Sequence, residues 1–243
     1  MKTLVVVPAY NEEKNILAVI EELKCDLAEA DILVVNDCST DNTLNIIKGV
    51  DCIKYIDLPC NLGESGALQT GFKYAVNNMY DYVIQCDADG QHIASEAKKL
   101  YDLMLDENID LIIGSRFLRD TNYKHSFFRK VGTNVFSTLN RMISKVAITD
   151  PTSGLRIIDR KLFTVFAGMV NYPEYPDANL IIELVFKGYR IKEEQVEMRE
   201  RIYGDSQFRG LLKPIRYAFK ILYAILLVCV KNISVKKRNE VCI

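Results

Sequence analysis

The chain has 243 residues, 49% hydrophobic and 26% charged, with a formal net charge of −1, which is enough length for a full core in one domain or one domain plus an appendage. That near-neutral total hides an asymmetry: from Asp205 onward eight Lys or Arg face two acids, a net of +6, so the first 204 residues carry −7. A basic, apolar tail on an acidic body points to a membrane surface or an acidic partner and against nucleic acid, which the body would repel. The seven cysteines, at 25, 38, 52, 60, 86, 229 and 242, are odd in number and contain no C-x-x-C pair. This pattern argues for reduced thiols in a cytosolic setting and against a disulfide framework or zinc site. The N-terminus offers only Leu4–Val7 as an apolar run before Pro8 and the acidic Glu12-Glu13, so no secretory signal fits.

In chain order, short apolar runs alternate with helical patterns. Leu4–Val7 is predicted as a buried strand, followed by an amphipathic helix over 12–24. Ile32–Val35 is the second strand, with a helix over 39–49 opened by Ser/Asp cap chemistry. A third strand over 53–58 precedes a helix over 64–77, and Tyr82–Cys86 is the fourth strand, followed by a helix over 94–105. Leu111–Gly114 is the fifth strand. The second half is less regular: helices are predicted over 127–145, 159–166 and 177–187, and a strand over 190–198. Continuous Val/Ile runs alternating with helices imply an α/β fold whose mostly parallel sheet is covered by helices on both faces. In such sheets ligands bind outside the carboxyl ends of the strands, where the strand order reverses.

Those carboxyl ends carry the polar signals. The first strand runs into Pro8-Ala9-Tyr10-Asn11-Glu12, the second into Asn36-Asp37-Cys38-Ser39, the fourth into Asp87-Ala88-Asp89-Gly90-Gln91-His92 and the fifth into Ser115-Arg116-Phe117. Asp87 and Asp89, two apart on an extended chain, share a face and can converge on a hard cation. Oxygen ligands of this kind suit Mg²⁺ or Mn²⁺, which fill their remaining positions with substrate phosphates. Taken alone the octapeptide also fits an ordinary Asp-Gly turn; four polar clusters on one sheet edge make a site.

In the tail, the uninterrupted apolar stretch Ile221–Val230 has ten residues, against the ~20 that a spanning helix needs. With Lys213, Arg216 and Lys220 in the same segment, an amphipathic helix lying in the membrane interface is expected, packing on the body or on a second subunit being the other reading.

These motifs resemble the family 2 glycosyltransferases of the GT-A fold, and more narrowly the polyprenyl-phosphate sugar synthases. The resemblance covers roughly residues 3–208. It is carried by Val6-Val7-Pro8-Ala9-Tyr10-Asn11-Glu12, Asp37-Cys38-Ser39-Thr40-Asp41-Asn42-Thr43, Asn61-Leu62-Gly63 through Gly71, Asp87-Ala88-Asp89-Gly90-Gln91-His92, Gly114-Ser115-Arg116, Asp150-Pro151-Thr152-Ser153-Gly154 and Arg201-x-x-Gly204-x-Ser206, in the family's order. It implies a catalytic domain over 1–208 and a basic amphipathic tail over 209–243.

The resemblance implies that Pro8, Tyr10, Glu12 and Asp37 bind the nucleoside of a nucleotide-sugar donor, with Asp37 accepting from a base N–H. Where the family usually has a second acid, this chain has Asn36. Asp87, Asp89 and Gln91 are implied as the metal site, with Asp87, Ala88 and Arg201 also at the donor, and Arg201 on a loop closing over its phosphates. Arg116, Arg129 and Thr133 match the positions that bind the acceptor phosphate, and Asp89, Arg116 and Arg129 are the implied catalytic set. A lipid phosphate is already anionic and needs cationic clamps rather than a base.

The expected reaction is inverting transfer of one sugar to polyprenyl phosphate, undecaprenyl phosphate in a bacterium, on the cytoplasmic face of the membrane. UDP-glucose or UDP-N-acetylglucosamine is favoured as donor over GDP-mannose. A small membrane-protein partner and a homo-oligomer stay open as ways of anchoring the tail. A transferase acting on a saccharide hydroxyl is the alternative; it requires a carboxylate base, for which Asp177 and Asp150 are the candidates. A non-catalytic nucleotide-binding scaffold ranks below both, and a dinucleotide-dependent dehydrogenase is disfavoured because Pro-Ala-Tyr-Asn-Glu stands where the Gly-rich turn would be.

Overall fold

The computed structural model describes residues 1–118, 137–139, 141–143, 145–146, 148–200 and 212–241, with the side chains of the last stretch described over 216–233. The described residues of 1–123, 153–174 and 190–204 form one compact unit, and those of 124–152, 175–189 and 205–243 a second.

The first unit is built on an uninterrupted apolar strand. Leu4, Val5, Val6 and Val7 are fully buried, and they make β1 (Thr3–Ala9) the inner strand of a sheet covered on both faces. In chain order α1 (Ile16–Asp26), β2 (Asp31–Asn36), α2 (Thr43–Lys48), β3 (Lys54–Asp57), α3 (Gly63–Asn77), β4 (Tyr82–Gln85), α4 (Ala94–Asp106) and β5 (Leu111–Ser115) follow, then β6 (Arg156–Asp159), α5 (Arg160–Gly168) and β7 (Ile191–Gln195). Among the described residues the seven strands form one sheet in the order β3-β2-β1-β4-β6-β5-β7. Pairs β1–β2, β1–β4, β2–β3 and β5–β7 are parallel, and β6 runs antiparallel to both β4 and β5. The strand order reverses at β1, which β2 and β4 flank.

The helices bury faces set by their periodicity. In α1 the buried residues Ile16, Val19, Ile20 and Leu23 recur at three- and four-residue steps, and in α4 Ala97, Leu100, Tyr101 and Met104 do the same. Helix α3 approaches β1 so closely that a Cβ on Gly71 would run into Val6, with Cγ2 at 3.0 Å and Cγ1 nearer still. Gly71 therefore sets the spacing between that helix and the central strand. The edge strand β7 reads Ile-Lys-Glu-Glu-Gln, a charged sequence that discourages pairing with another chain.

The predicted strands and helices of the first half are present, with shifts of a few residues at their ends; α1 starts at Ile16 rather than 12 and α2 at Thr43 rather than 39. Both shifts arise because the residues before each helix are held in loop hydrogen bonds described below. β6 is the element absent from the sequence reading. Its core, Arg156-Ile157-Ile158-Asp159, is four residues long and abuts α5 directly, so it carries no alternation of its own. The helix expected over 127–145 falls largely outside the described residues; 137–139 and 141–143 are helical.

The second unit contains α6 (Ala178–Phe186) and α7 (Leu212–Val241). Ile221 and Ile225 of α7 are buried with Ala178 and Ile182 of α6 in a small apolar cluster. Among the described residues no helix is long and apolar enough to cross a membrane.

Gly71→Ala tests the helix–strand contact. Alanine in an exposed helix would favour folding by up to ~1 kcal/mol, but overpacking against Val6 outweighs this. The expected outcome is a net loss of about 1–2 kcal/mol in urea unfolding.

Candidate active site

The site begins where β1 and β4 part. The β1–β2 register runs to Ala9↔Asn36, whereas the β1–β4 register stops at Val6↔Gln85. Asp37 N donates to Ala9 O at 2.8 Å and Cys86 N to Val6 O at 3.1 Å. Odd residues of this stretch thus face β2 and even ones β4. Pro8 falls on the β4 side, past the last pair, where the ladder needs no N–H.

Beyond β1 and β2 the two loops are laced together. Asn11, in a left-handed conformation (φ 56°) that asparagine tolerates, donates its N–H to Ser39 Oγ at 3.0 Å and accepts from Thr40 N at 2.8 Å. Glu12 N donates to Thr43 Oγ1 at 2.8 Å, and Glu13 N to Asp41 Oδ2 at 3.1 Å. Asp41 Oδ1 accepts from Thr43 N at 2.9 Å; burial would raise this carboxyl, but these bonds outweigh it and hold it below the ordinary range. Tyr10 is left 47% exposed at the lip, an aromatic face open to a base.

Asp37 is buried at the end of β2. Its Oδ1 accepts from Leu62 N at 2.7 Å, and its carbonyl from Asn61 Nδ2 at 3.2 Å. Leu62 also helps to line a cavity of about 260 Å³ at the N-terminus of α3, with Ser65, Gln69 and Tyr172. Neighbouring Asn36 is 1% exposed; its Nδ2 donates to Asp57 Oδ1 at 2.7 Å, and its buried Oδ1 has no hydrogen-bond partner. An aspartate here would set two carboxylates against each other, so the neutral amide suits the β3 residue beside it.

The Asp87–His92 loop has its own geometry. Asp87 N donates to His92 Nδ1 at 3.0 Å, which places the proton of a neutral ring on Nε2, 3.6 Å from Asp87 Oδ2. His92 is buried and closes the loop from below. Asp89 Oδ1 accepts from Gln91 N at 3.0 Å, and Gly90 between them takes φ 75°, which glycine adopts without strain. The thiol of Cys86 is fully buried, and that burial, with Asp87 and Asp89 nearby, raises its pKa and keeps it protonated.

Gly154 is the residue the sequence reading missed as a contact. The antiparallel register Gln85↔Arg156, continued by two residues, puts Gly154 across from Asp87. A Cβ on Gly154 would lie 2.9 Å from both Asp87 Cγ and Oδ1 and would overlap Oδ2. The segment is fixed by Gly114 N to Leu155 O at 3.0 Å and by the buried Arg156, whose Nε donates to Ser153 O at 2.9 Å. Turn chemistry ahead of the apolar Ile157-Ile158 was the available signal, but the pairing with β4 was not.

Ser115 and Arg116 at the end of β5 are buried, and the Arg116 guanidinium lies 5.3 Å from the Phe117 ring centroid. Arg129, Thr133 and Arg201 lie outside the described residues. Asp150 is fully buried and accepts from Thr152 Oγ1 at 3.1 Å. Asp177 precedes α6 without capping it through its side chain, and its carboxylate accepts from Tyr217 Oη at 2.5 Å. Arg199 and Lys192 are partly exposed charges in ion pairs, Arg199 with Glu22 and Lys192 with Glu107.

Among the described residues no three or more acidic, histidine or cysteine side chains cluster as a metal cage. Asp87 and Asp89 with the Gln91 amide form a hard-oxygen set that fits Mg²⁺ or Mn²⁺ completed by substrate oxygens and water.

A mostly parallel sheet opening at its switch point beside two carboxylates is the architecture of an α/β ligand-binding fold. The sequence profile of Glycosyl transferase family 2 matches residues 4–166, and the chain belongs to that family. It is 26% identical over 239 residues, 91% of this chain and 94% of the other, to the UDP-N-acetylglucosamine–dolichyl-phosphate N-acetylglucosaminyltransferase of Methanococcus voltae. It is 27% identical over 217 residues (86% and 82%) to the polyprenol monophosphomannose synthase of Mycolicibacterium smegmatis. In fold it matches the glucosyl-3-phosphoglycerate synthase of Mycobacterium tuberculosis in complex with phosphoglyceric acid, with a TM-score of 0.71, 19% identity and coverage of 94% and 80%. The chain is a glycosyltransferase of the GT-A fold.

Gly154→Ala displaces the Asp87 carboxylate. Sugar transfer at subsaturating Mn²⁺ is expected to fall by roughly tenfold or more, about 1.4 kcal/mol in transition-state terms, as steady-state kinetics would show.

Proposed function

We propose that this enzyme transfers a single sugar, with inversion, from a nucleotide-diphosphate donor to polyprenyl phosphate. UDP-glucose or UDP-N-acetylglucosamine is favoured, with GDP-mannose the other candidate donor. The observation that carries the reading is the Asp87–His92 loop at the switch point of the sheet, across β1 from the buried Asp37. Residues 1–208 are the catalytic part in this reading, and 209–243 the membrane-facing tail.

Tyr10 offers its exposed ring to the base, Asp37 accepts a base N–H on the oxygen that Leu62 does not occupy, and Pro8, Glu12 and Ala88 shape the nucleoside pocket. Asp87, Asp89 and Gln91 would hold Mg²⁺ or Mn²⁺, which supplies charge neutralisation at the departing diphosphate. Arg201 serves the donor phosphates. Arg116, Arg129 and Thr133 hold the lipid phosphate so that one of its oxygens attacks the anomeric carbon from the face opposite the leaving group. The new C–O bond forms as the bond to the nucleotide diphosphate breaks, and the electron pair leaves with the diphosphate. No proton has to be removed. The engagement of both candidate bases supports this: Asp150 is buried with Thr152, and Asp177 is held by Tyr217.

To test the reaction, purified enzyme is incubated with a panel of radiolabelled nucleotide sugars, undecaprenyl phosphate and Mn²⁺, then extracted with organic solvent. Label is expected in the organic phase for one donor, lost with EDTA and reduced at least a hundredfold in Arg116→Ala. Transfer only to a saccharide hydroxyl, abolished by Asp177→Asn but not by Arg116→Ala, would overturn the lipid-phosphate reading.

The tail supports a membrane-surface site. On α7, Phe219, Leu222, Tyr223, Leu226, Val230 and Ile233 are 43–70% exposed at three- and four-residue steps, opposite the buried Ile221 and Ile225. At 100° per residue, Arg216, Lys220 and Lys231 flank one edge of this stripe, the arrangement of a helix lying on an anionic interface. The chain is expected to float with vesicles containing anionic lipid, and Leu226→Glu to reduce that binding severalfold. A concentration-dependent dimer that ignores vesicles would assign the stripe to a second copy instead.

A further inference from the structure

One carboxylate ties three elements to the proposed metal loop. Glu22, on α1, receives the Arg199 guanidinium twice, Nη1 to Oε2 at 2.5 Å and Nη2 to Oε1 at 3.1 Å. Its Oε1 also accepts from Ala94 N at 3.0 Å, at the start of α4 immediately after the loop. Arg199 in turn lies alongside Gln91. Arg199 N donates to Gln91 O at 2.9 Å, Gln91 Nε2 donates to Arg199 O at 3.4 Å, and Met198 bridges His92. The amide of Gln91 is thereby turned so that its nitrogen faces Arg199, and Oε1, the oxygen able to bind a hard cation, is at its other end. The same α1 face supports the loop from beneath, since Val19 lies one turn before Glu22 and its Cγ2 is 4.0 Å from the Cβ position of Gly90.

An exposed ion pair of this kind adds only ~0–1 kcal/mol to stability. Its value here is geometric, because each of its ends touches backbone that flanks Asp89-Gly90-Gln91. We propose that Glu22 is a positioning residue for the metal loop, acting through Arg199 and the Ala94 N–H to hold Gln91 in the orientation that binds the cation. This rests on the metal assignment proposed above. Partners one step removed from a metal site typically change its affinity by ~10–100-fold when removed.

The experiment measures bound Mn²⁺ by electron paramagnetic resonance, with the full-length protein and UDP, and with GDP in a parallel series. Variants are Glu22→Gln, which keeps an acceptor for Ala94 N but loses the ion pair, Arg199→Met, Arg199→Lys and the Glu22→Gln/Arg199→Met double. Each single loss is expected to weaken Mn²⁺ binding roughly tenfold, and the double no more than the singles, since both break one link. Arg199→Lys is expected to recover to within about threefold of wild type, and Tm to fall by less than ~3 °C throughout. Wild-type affinity in Glu22→Gln, multiplicative losses in the double, or a metal defect that follows a large fall in Tm would each overturn the positioning role. Failure of the wild type to bind Mn²⁺ with either nucleotide would instead overturn the metal assignment beneath it.

Discussion

The site depends on a mismatch in pairing length. β1 stays hydrogen-bonded to β2 through Ala9 but is released by β4 after Val6, so the two central strands separate at their carboxyl ends while both remain anchored in the sheet. A crevice at that point costs no buried ladder bond, because Pro8 has no N–H to leave unsatisfied. The residues proposed to bind donor and metal lie at the strand ends around this opening. The β2 end contributes Asp37 from one side, and the β4 end contributes Asp87 and Asp89 from the other.

Rigidity is then supplied from outside the crevice. The loops after β1 and β2 exchange side-chain-to-backbone hydrogen bonds rather than relying on either helix to hold them. On the other side β6 runs against β4, and its approach brings the backbone of Gly154 into contact with the Asp87 carboxylate. A side chain at either of two glycines would undo this architecture: at Gly71 it would push α3 off β1, and at Gly154 it would push Asp87 out of place. Loops carry the chemistry and a close-packed scaffold fixes them.

Relatives named for different sugars match this chain over most of its length, and a synthase in complex with phosphoglyceric acid shares its fold. In the second unit, α7 combines a buried face against α6 with an exposed apolar stripe edged by cations, a division of labour that fits packing on one side and an interface on the other.

Much of this was legible in the residues themselves. The Val/Ile runs announced a mostly parallel sheet because strands buried on both faces must be apolar throughout, and the polar clusters after them are the residues proposed to form the site. The spacing in Asp87-Ala88-Asp89-Gly90-Gln91 suited a hard cation but equally an Asp-Gly turn, and the neighbouring polar clusters on the sheet edge favoured the cation. Contacts between distant segments were not legible. Nothing near residue 154 announces that a side chain there would strike a carboxylate 67 residues earlier, and nothing near Glu22 marks its pairing with Arg199. Periodicity and turn chemistry are local properties that a sequence displays directly. Register across strands and the meeting of charges from separate loops depend on how the sheet closes, and only the tertiary structure decides that.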